Sequence, residues 1–284
     1  MESRNPVLRR VTEQERQGGA GFAYDEGRSA YAAAAGADAA SAPTAEQLQG
    51  IYDTPGPGTG RLTLDDVIIK TGICLVAVIA GAVVGWNIYP SMPFVVWGAA
   101  ILGMVLAFVN IFKKQVSPAL VLAYSLVQGV FLGGISYAYN LTALANDYSG
   151  IVQQAVLGTF VAFAVMLALY KTRIIKVNGT FMKMMMVALV SYAVIGIASL
   201  IAALFGVGGG WGFYGVGGVG ILLCVVGVGL AAFSLALDFE AINQSVRYGV
   251  PERESWRLAF GLMVTLIWLY LELLRLLAIL SNNR

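Results

Sequence analysis

The chain contains no histidine. That absence removes imidazole metal sites, Ser-His-Asp triads and imidazole proton relays together. Cysteine is nearly absent as well: Cys74 and Cys224 are the only two, and both sit inside apolar runs. A disulfide framework and a zinc site are therefore not expected. Charge is scarce, at 12% of residues, where a soluble chain carries about 25%. The net charge of +2 is too small to point to nucleic acid. What fills the sequence instead is apolar residues, 58% of 284, clustered in long runs as in an integral membrane protein. No cofactor and no enzymatic activity are expected.

Seven stretches are long enough to cross a bilayer, which takes about 20 apolar residues. They lie at roughly 67–89, 93–112, 118–139, 151–170, 181–205, 217–238 and 256–280. None shows the alternation of a membrane barrel strand, so the chain is expected to be an all-α, seven-transmembrane-helix bundle over residues 63–284. Residues 1–62 are rich in Ala, Gly, Glu and Arg, and carry too little apolar surface for a core. They are read as a disordered cytoplasmic tail, with a short helix near Thr44–Tyr52. Six basic residues there face eight acidic ones, which argues against a polybasic membrane tether. The N-terminus lacks a basic stretch followed by an apolar one, so the first span is expected to serve as an uncleaved insertion signal.

Basic residues alternate across the loops. Lys113 and Lys114, then Lys171, Arg173 and Lys176, then Arg247 and Arg253 occupy every second loop, while 90–92, 140–150 and 206–216 hold none. By the positive-inside rule the tail is cytoplasmic and the C-terminus extracytoplasmic in a plasma (inner) membrane. Lys70, Lys183 and Arg257 fall at cytoplasmic helix ends, where they can snorkel. Gly81-xxx-Gly85 and Gly129-xxx-Gly133 have the spacing of close helix contacts.

Few motifs could carry chemistry. Gly215-Val-Gly217-Gly-Val-Gly220 matches G-x-G-x-x-G, but no strand precedes it and the helix it opens is a membrane span, so nucleotide binding is set aside. The 206–220 segment reads as a flexible loop. Neither a Gly-Ser-Gly nucleophile turn nor a seventh-span lysine is present, which argues against an intramembrane serine protease and a retinal protein. The last span holds Glu272 and Arg275 within Trp-Leu-Tyr-Leu-Glu-Leu-Leu-Arg. A charge at bilayer depth costs about 2.5–3.5 kcal/mol on insertion scales and is seldom kept without a partner or a role. Arg275 lies on the same helix face as Glu272. Asp238 closes the sixth span.

Asp238 and Glu272 could face one another, share a proton and bind a hard cation through oxygen. The alternative is a self-neutralising Glu272–Arg275 pair with Asp238 a helix-end charge. Geometry bears on the choice: Glu272 lies about 24 Å up its helix at 1.5 Å per residue, and Asp238 near the other end of its own span. The two meet only if the sixth helix continues past Asp238 or the seventh begins further out.

Leu-Asp238-Phe, Leu-Tyr-Leu-Glu272, Ala-Tyr124-Ser-Leu-Val-Gln128-Gly129-Val-Phe-Leu-Gly133 and Gln154-Ala-Val-Leu-Gly158-Thr, in that arrangement over residues 63 to 280, resemble the Bax inhibitor-1 / YccA family. Asn5-Pro6-Val7 and Leu62-Thr-Leu-Asp65-Asp66-Val67 are most similar to its actinobacterial branch. The resemblance implies a bundle with the seventh helix central, and a pH-sensitive passive calcium leak governed by two membrane acids, carried over to Asp238 and Glu272. These would be transient calcium ligands, with Arg275 a counter-ion in the closed state and Gln128 a neutral pathway ligand. The chain departs from the family pattern with Glu at 272 in place of Asp, and Gln at 128 where Glu is common. Protonation of the pair is expected to shift the closed–open balance between roughly pH 6 and 8. The alternative reading is a non-transporting regulator that binds a membrane protease or another membrane protein. A secondary transporter ranks lower, since no inverted repeat is visible.

Overall fold

The computed structural model describes residues 60–215 and 217–282. The expected tail and its short helix near Thr44–Tyr52 fall outside the described residues up to 59. Among the described residues, seven helices are long and apolar enough to cross a membrane: α1 Leu64–Ile88, α2 Pro93–Phe112, α3 Pro118–Leu144, α4 Ile151–Lys171, α5 Gly179–Leu204, α6 Gly217–Arg247 and α7 Ser255–Asn282. Among the described residues the only strand-like pairing is a bridge between Arg61 and Pro251. The all-helical fold expected from the apolar runs is the fold observed.

Local signals set the helix starts. Thr63 and Asp66 form a capping box on α1: the Asp66 amide donates to Thr63 Oγ1 at 3.2 Å, and the Thr63 amide to Asp66 Oδ2 at 2.9 Å. Pro93 and Pro118 open α2 and α3, where a missing amide costs nothing. Asn178 caps α5 by accepting from the Phe181 amide at 2.7 Å.

The helices bury small residues inward and turn large apolar side chains outward, as lipid allows. Phe94, Trp97, Ile101, Phe108 and Phe112 of α2 are all exposed. The tightest seam joins α1 and α3. A Cβ on Gly81 would lie 2.2 Å from the Leu126 carbonyl oxygen, on Gly85 2.0 Å from that of Val130, and on Gly133 1.9 Å from that of Ala82. Both small-xxx-small motifs therefore serve one backbone-to-backbone contact inside the bundle. α7 packs against α1, α3, α4 and α6. It contributes to all three buried clusters, through Leu262 and Leu269, through Phe260, Met263 and Ile267, and through Leu274 and Ala278.

The end of α6 departs most from the expected spans. α6 runs nine residues beyond Asp238, because the drop in hydropathy there is not a drop in helix propensity. Phe239 and Ile242 stay buried, Gln244 Nε2 donates to Glu240 Oε1 at 2.8 Å, and the chain turns only at Gly249, with φ +63°. Lys70 does not snorkel: its Nζ donates to Ser255 Oγ at 2.6 Å and to Glu252 Oε1 at 3.1 Å. Arg257 likewise turns to protein, donating to the Lys114 carbonyl at 2.8 Å. Gly60 and Leu62 are pinned to the α6–α7 connection by backbone bonds, Glu252 N to Gly60 O at 2.8 Å and Leu62 N to Val250 O at 2.9 Å.

Candidate functional site

The charges of α7 sit in a built polar cluster. Glu272 is only 3% exposed. Its Oε1 accepts from Tyr192 Oη of α5 at 3.0 Å, from Trp268 Nε1 at 3.1 Å and from Arg275 NH1 at 3.3 Å, and its Oε2 accepts from Arg275 NH1 at 3.4 Å. Trp268 and Arg275 reach it because residues three and four apart share a helix face. The Tyr214 hydroxyl donates to Tyr192 Oη at 2.9 Å, and the Tyr214 ring lies 4.4 Å from the Arg275 guanidinium carbon, a cation–π distance. Tyr139 of α3 stands within reach of the same guanidinium. α6 makes room for this with glycine: a Cβ on Gly227 would lie 2.3 Å from Tyr192 Oη and 2.8 Å from Glu272 Cδ. The result is a neutralised ion pair whose lone pairs are filled by charge-assisted donors, the condition under which a buried pair is tolerated.

Asp238 is elsewhere. Its Oδ1 lies 4.0 Å from where a Cβ on Gly261 would stand, and the Thr265 hydroxyl is within its reach. Its Oδ2 is buried and has no hydrogen-bond partner among the described residues. Gly227 marks the level of Glu272 and Gly261 the level of Asp238, so the acids are eleven residues apart on each of two antiparallel helices. At 1.5 Å per residue the levels differ by about 16 Å.

The expected carboxylate pair is thus not formed. The sixth helix does continue past Asp238, but α7 begins only at Ser255, and Asp238 meets Thr265 where a second acid would have to stand. Asp238 and Glu272 cannot ligate one calcium ion across that distance. Among the described residues no group of three or more His, Cys, Asp or Glu could hold a metal. Gln128 joins neither acid. Its Oε1 lies 2.2 Å from where a Cβ on Gly103 of α2 would stand, in the α2–α3 seam. Arg275 is found where a counter-ion to Glu272 was expected.

Sequence reasoning missed Tyr192, Tyr214, Thr265 and Gly227. Trp268 was legible, four residues before Glu272. Tyr192 and Tyr214 come from other elements, so no local signal marks them. The glycines of the nucleotide-like motif have a packing role instead: a Cβ on Gly215 would lie 2.0 Å from the Gly208 carbonyl oxygen, and on Gly220 2.2 Å from that of Tyr214.

Seven apolar helices around a buried, satisfied ion pair define a multi-pass α-helical membrane protein. A family model described as Bax inhibitor 1 like matches residues 5–282, nearly the whole chain, and the protein belongs to that family. No curated protein matches the chain.

Proposed function

We propose that the protein is a non-enzymatic, passive cation leak of the bacterial inner membrane, with calcium as its cargo and Asp238 as its ion-facing acid. The observation that carries this reading is the Asp238 Oδ2 atom, buried without a partner among the described residues. A carboxylate oxygen in that state costs free energy unless something else uses it, and intramembrane acids of this kind mark ion pathways. The Glu272–Arg275 cluster is the closed half of the path: its donors are already spent on one another, so it blocks rather than binds. The loop charges support a cytoplasmic N-terminus and an extracytoplasmic C-terminus. Asp238 then lies toward the cytoplasmic side and Glu272 toward the outside. With one lone acid in place of a coupled pair, the pH response follows a single proton.

Calcium flux into dye-loaded proteoliposomes tests this. Wild type conducts, Asp238→Asn loses most of the flux and its pH response, and Glu272→Gln does not reproduce that loss. Equal flux from wild type and Asp238→Asn would sink the proposal. The regulator reading is favoured by one observation, the pinning of Gly60 and Leu62 beside the α6–α7 connection, which fixes where any upstream docking segment is tethered. Removing residues 2–58 separates the two readings: a leak still conducts, whereas a tail-dependent regulator loses its membrane-protease partner.

A further inference from the structure

We infer that residues 206–215 form a movable strap that closes the Glu272 site from the face opposite the Lys/Arg-rich loops. Calling it a gate rests on the leak reading; its ability to cover and uncover the site does not.

The strap is built to fold back on the bundle. Gly206, Gly208, Gly209 and Gly212 adopt φ of +80°, +59°, +65° and +62°, a region that L side chains rarely enter. These angles return the chain along α5, where a Cβ on Gly212 would lie 2.1 Å from the Ser199 carbonyl oxygen. Ser199 is five residues before the end of α5, so the strap descends by about 7 Å from the helix end.

Beside the close backbone contacts of Gly212 on Ser199 and of Tyr214 on Gly220, few side chains fasten it. The Phe213 amide donates to Ser199 Oγ at 3.0 Å. Tyr214 donates to Tyr192 and stacks beneath Arg275, as described above. Trp211 packs on Tyr139 with ring centroids 5.6 Å apart, and both help line a cavity of about 370 Å³. Val207 and Trp211 are otherwise exposed, so little apolar burial holds the segment down. A segment with few buried contacts and glycine on both sides opens locally at low cost. Lifting it takes the hydroxyl from Tyr192 and the ring from Arg275 in one movement. Tyr192 of α5 and Arg275 of α7, both of which donate to Glu272, are then loosened together, and a path to the carboxylate opens.

The protein carries its own reporter. Cys224 of α6 is fully buried, and its electrostatic neighbours are Arg275, Glu272 and Tyr214. It lies one helical turn from Gly220, where a Cβ would stand 2.2 Å from the Tyr214 carbonyl oxygen of the strap. The experiment follows N-ethylmaleimide labelling of Cys224 in the full-length protein in detergent micelles, where both faces are open, on a Cys74→Ala background. Tyr214→Phe keeps the ring and loses only a hydroxyl, and is expected to raise the labelling rate about threefold. Tyr214→Ala, which also loses the cation–π contact, is expected to raise it about tenfold. Tyr248→Phe, at an exposed tyrosine outside the strap, leaves the rate unchanged. The unfolding midpoint of each variant shows that the fold is kept. Equal rates in wild type, Tyr214→Phe and Tyr214→Ala, all folded, overturn the strap. Raised labelling with no calcium flux in any variant supports the strap and overturns the leak; unchanged labelling with Asp238-dependent flux overturns the strap alone.

Discussion

Two carboxylates lie on facing helices of this bundle, and their surroundings differ at every point. Around Glu272 the fold gathers a guanidinium, an indole and a tyrosine hydroxyl, and removes a side chain at Gly227 to fit them. Around Asp238 it supplies a threonine and the bare backbone of Gly261, and leaves one oxygen without a partner among the described residues. The first arrangement holds a charge still. The second leaves a carboxyl oxygen unsatisfied among the described residues. A single helix pair therefore carries one acid with its partners and one with an oxygen left over, and depth in the membrane does not tell them apart. Satisfaction does.

Substitutions that treat the two regions alike should have unlike effects. The largest is expected from Arg275→Leu, which strands Glu272 as an unpaired buried charge and should cost about 3–5 kcal/mol. Asp238→Leu, in contrast, should leave stability near wild type, since no charge is stranded and the Thr265 hydroxyl still donates to the Gly261 carbonyl at 3.3 Å. Unfolding free energies in micelles check both, and equal losses would break the contrast. Next comes the glycine pair. Gly227→Ala forces a Cβ into Tyr192 and Glu272 and should cost about 1–3 kcal/mol. Gly261→Ala meets nothing nearer than Asp238 Oδ1 at 4.0 Å and should be tolerated. Smaller still is Trp268→Phe, which removes one of the donors on Glu272 Oε1 at an expected cost of about 0.6–1.7 kcal/mol for a hydrogen bond in a membrane. The comparison can also be erased by design: Thr265→Asp places a second acid across from Asp238, and the pH dependence of flux should steepen from one proton toward two.

The positions of the helices were legible because a membrane span is written in hydropathy, and Pro93, Pro118 and Asn178 mark starts by local chemistry. The end of α6 was not. Asp238 interrupts the apolar run, but the residues after it remain good helix formers, and the helix stops only at a glycine. The Glu272–Arg275 pair was legible from a three-residue spacing. The tyrosines that complete it were not, because Tyr192 and Tyr214 stand 80 and 58 residues away in the chain, and only packing brings them in. In the 206–220 segment the density of glycine drew attention to the backbone, while the residue that matters for the site is the single tyrosine among them. Register decided the pairing of the acids, and register across α6 and α7 depends on where the connection ends, which hydropathy does not encode.

The separation of Asp238 from Glu272 can be measured on the fold itself. A double-mutant cycle on unfolding free energy, with Asp238→Asn, Glu272→Gln and both together, measures it without reference to transport. Additivity to within about 0.5 kcal/mol is expected, as for sites beyond 10 Å. A coupling well above 1 kcal/mol would contradict it and restore the shared carboxylate pair.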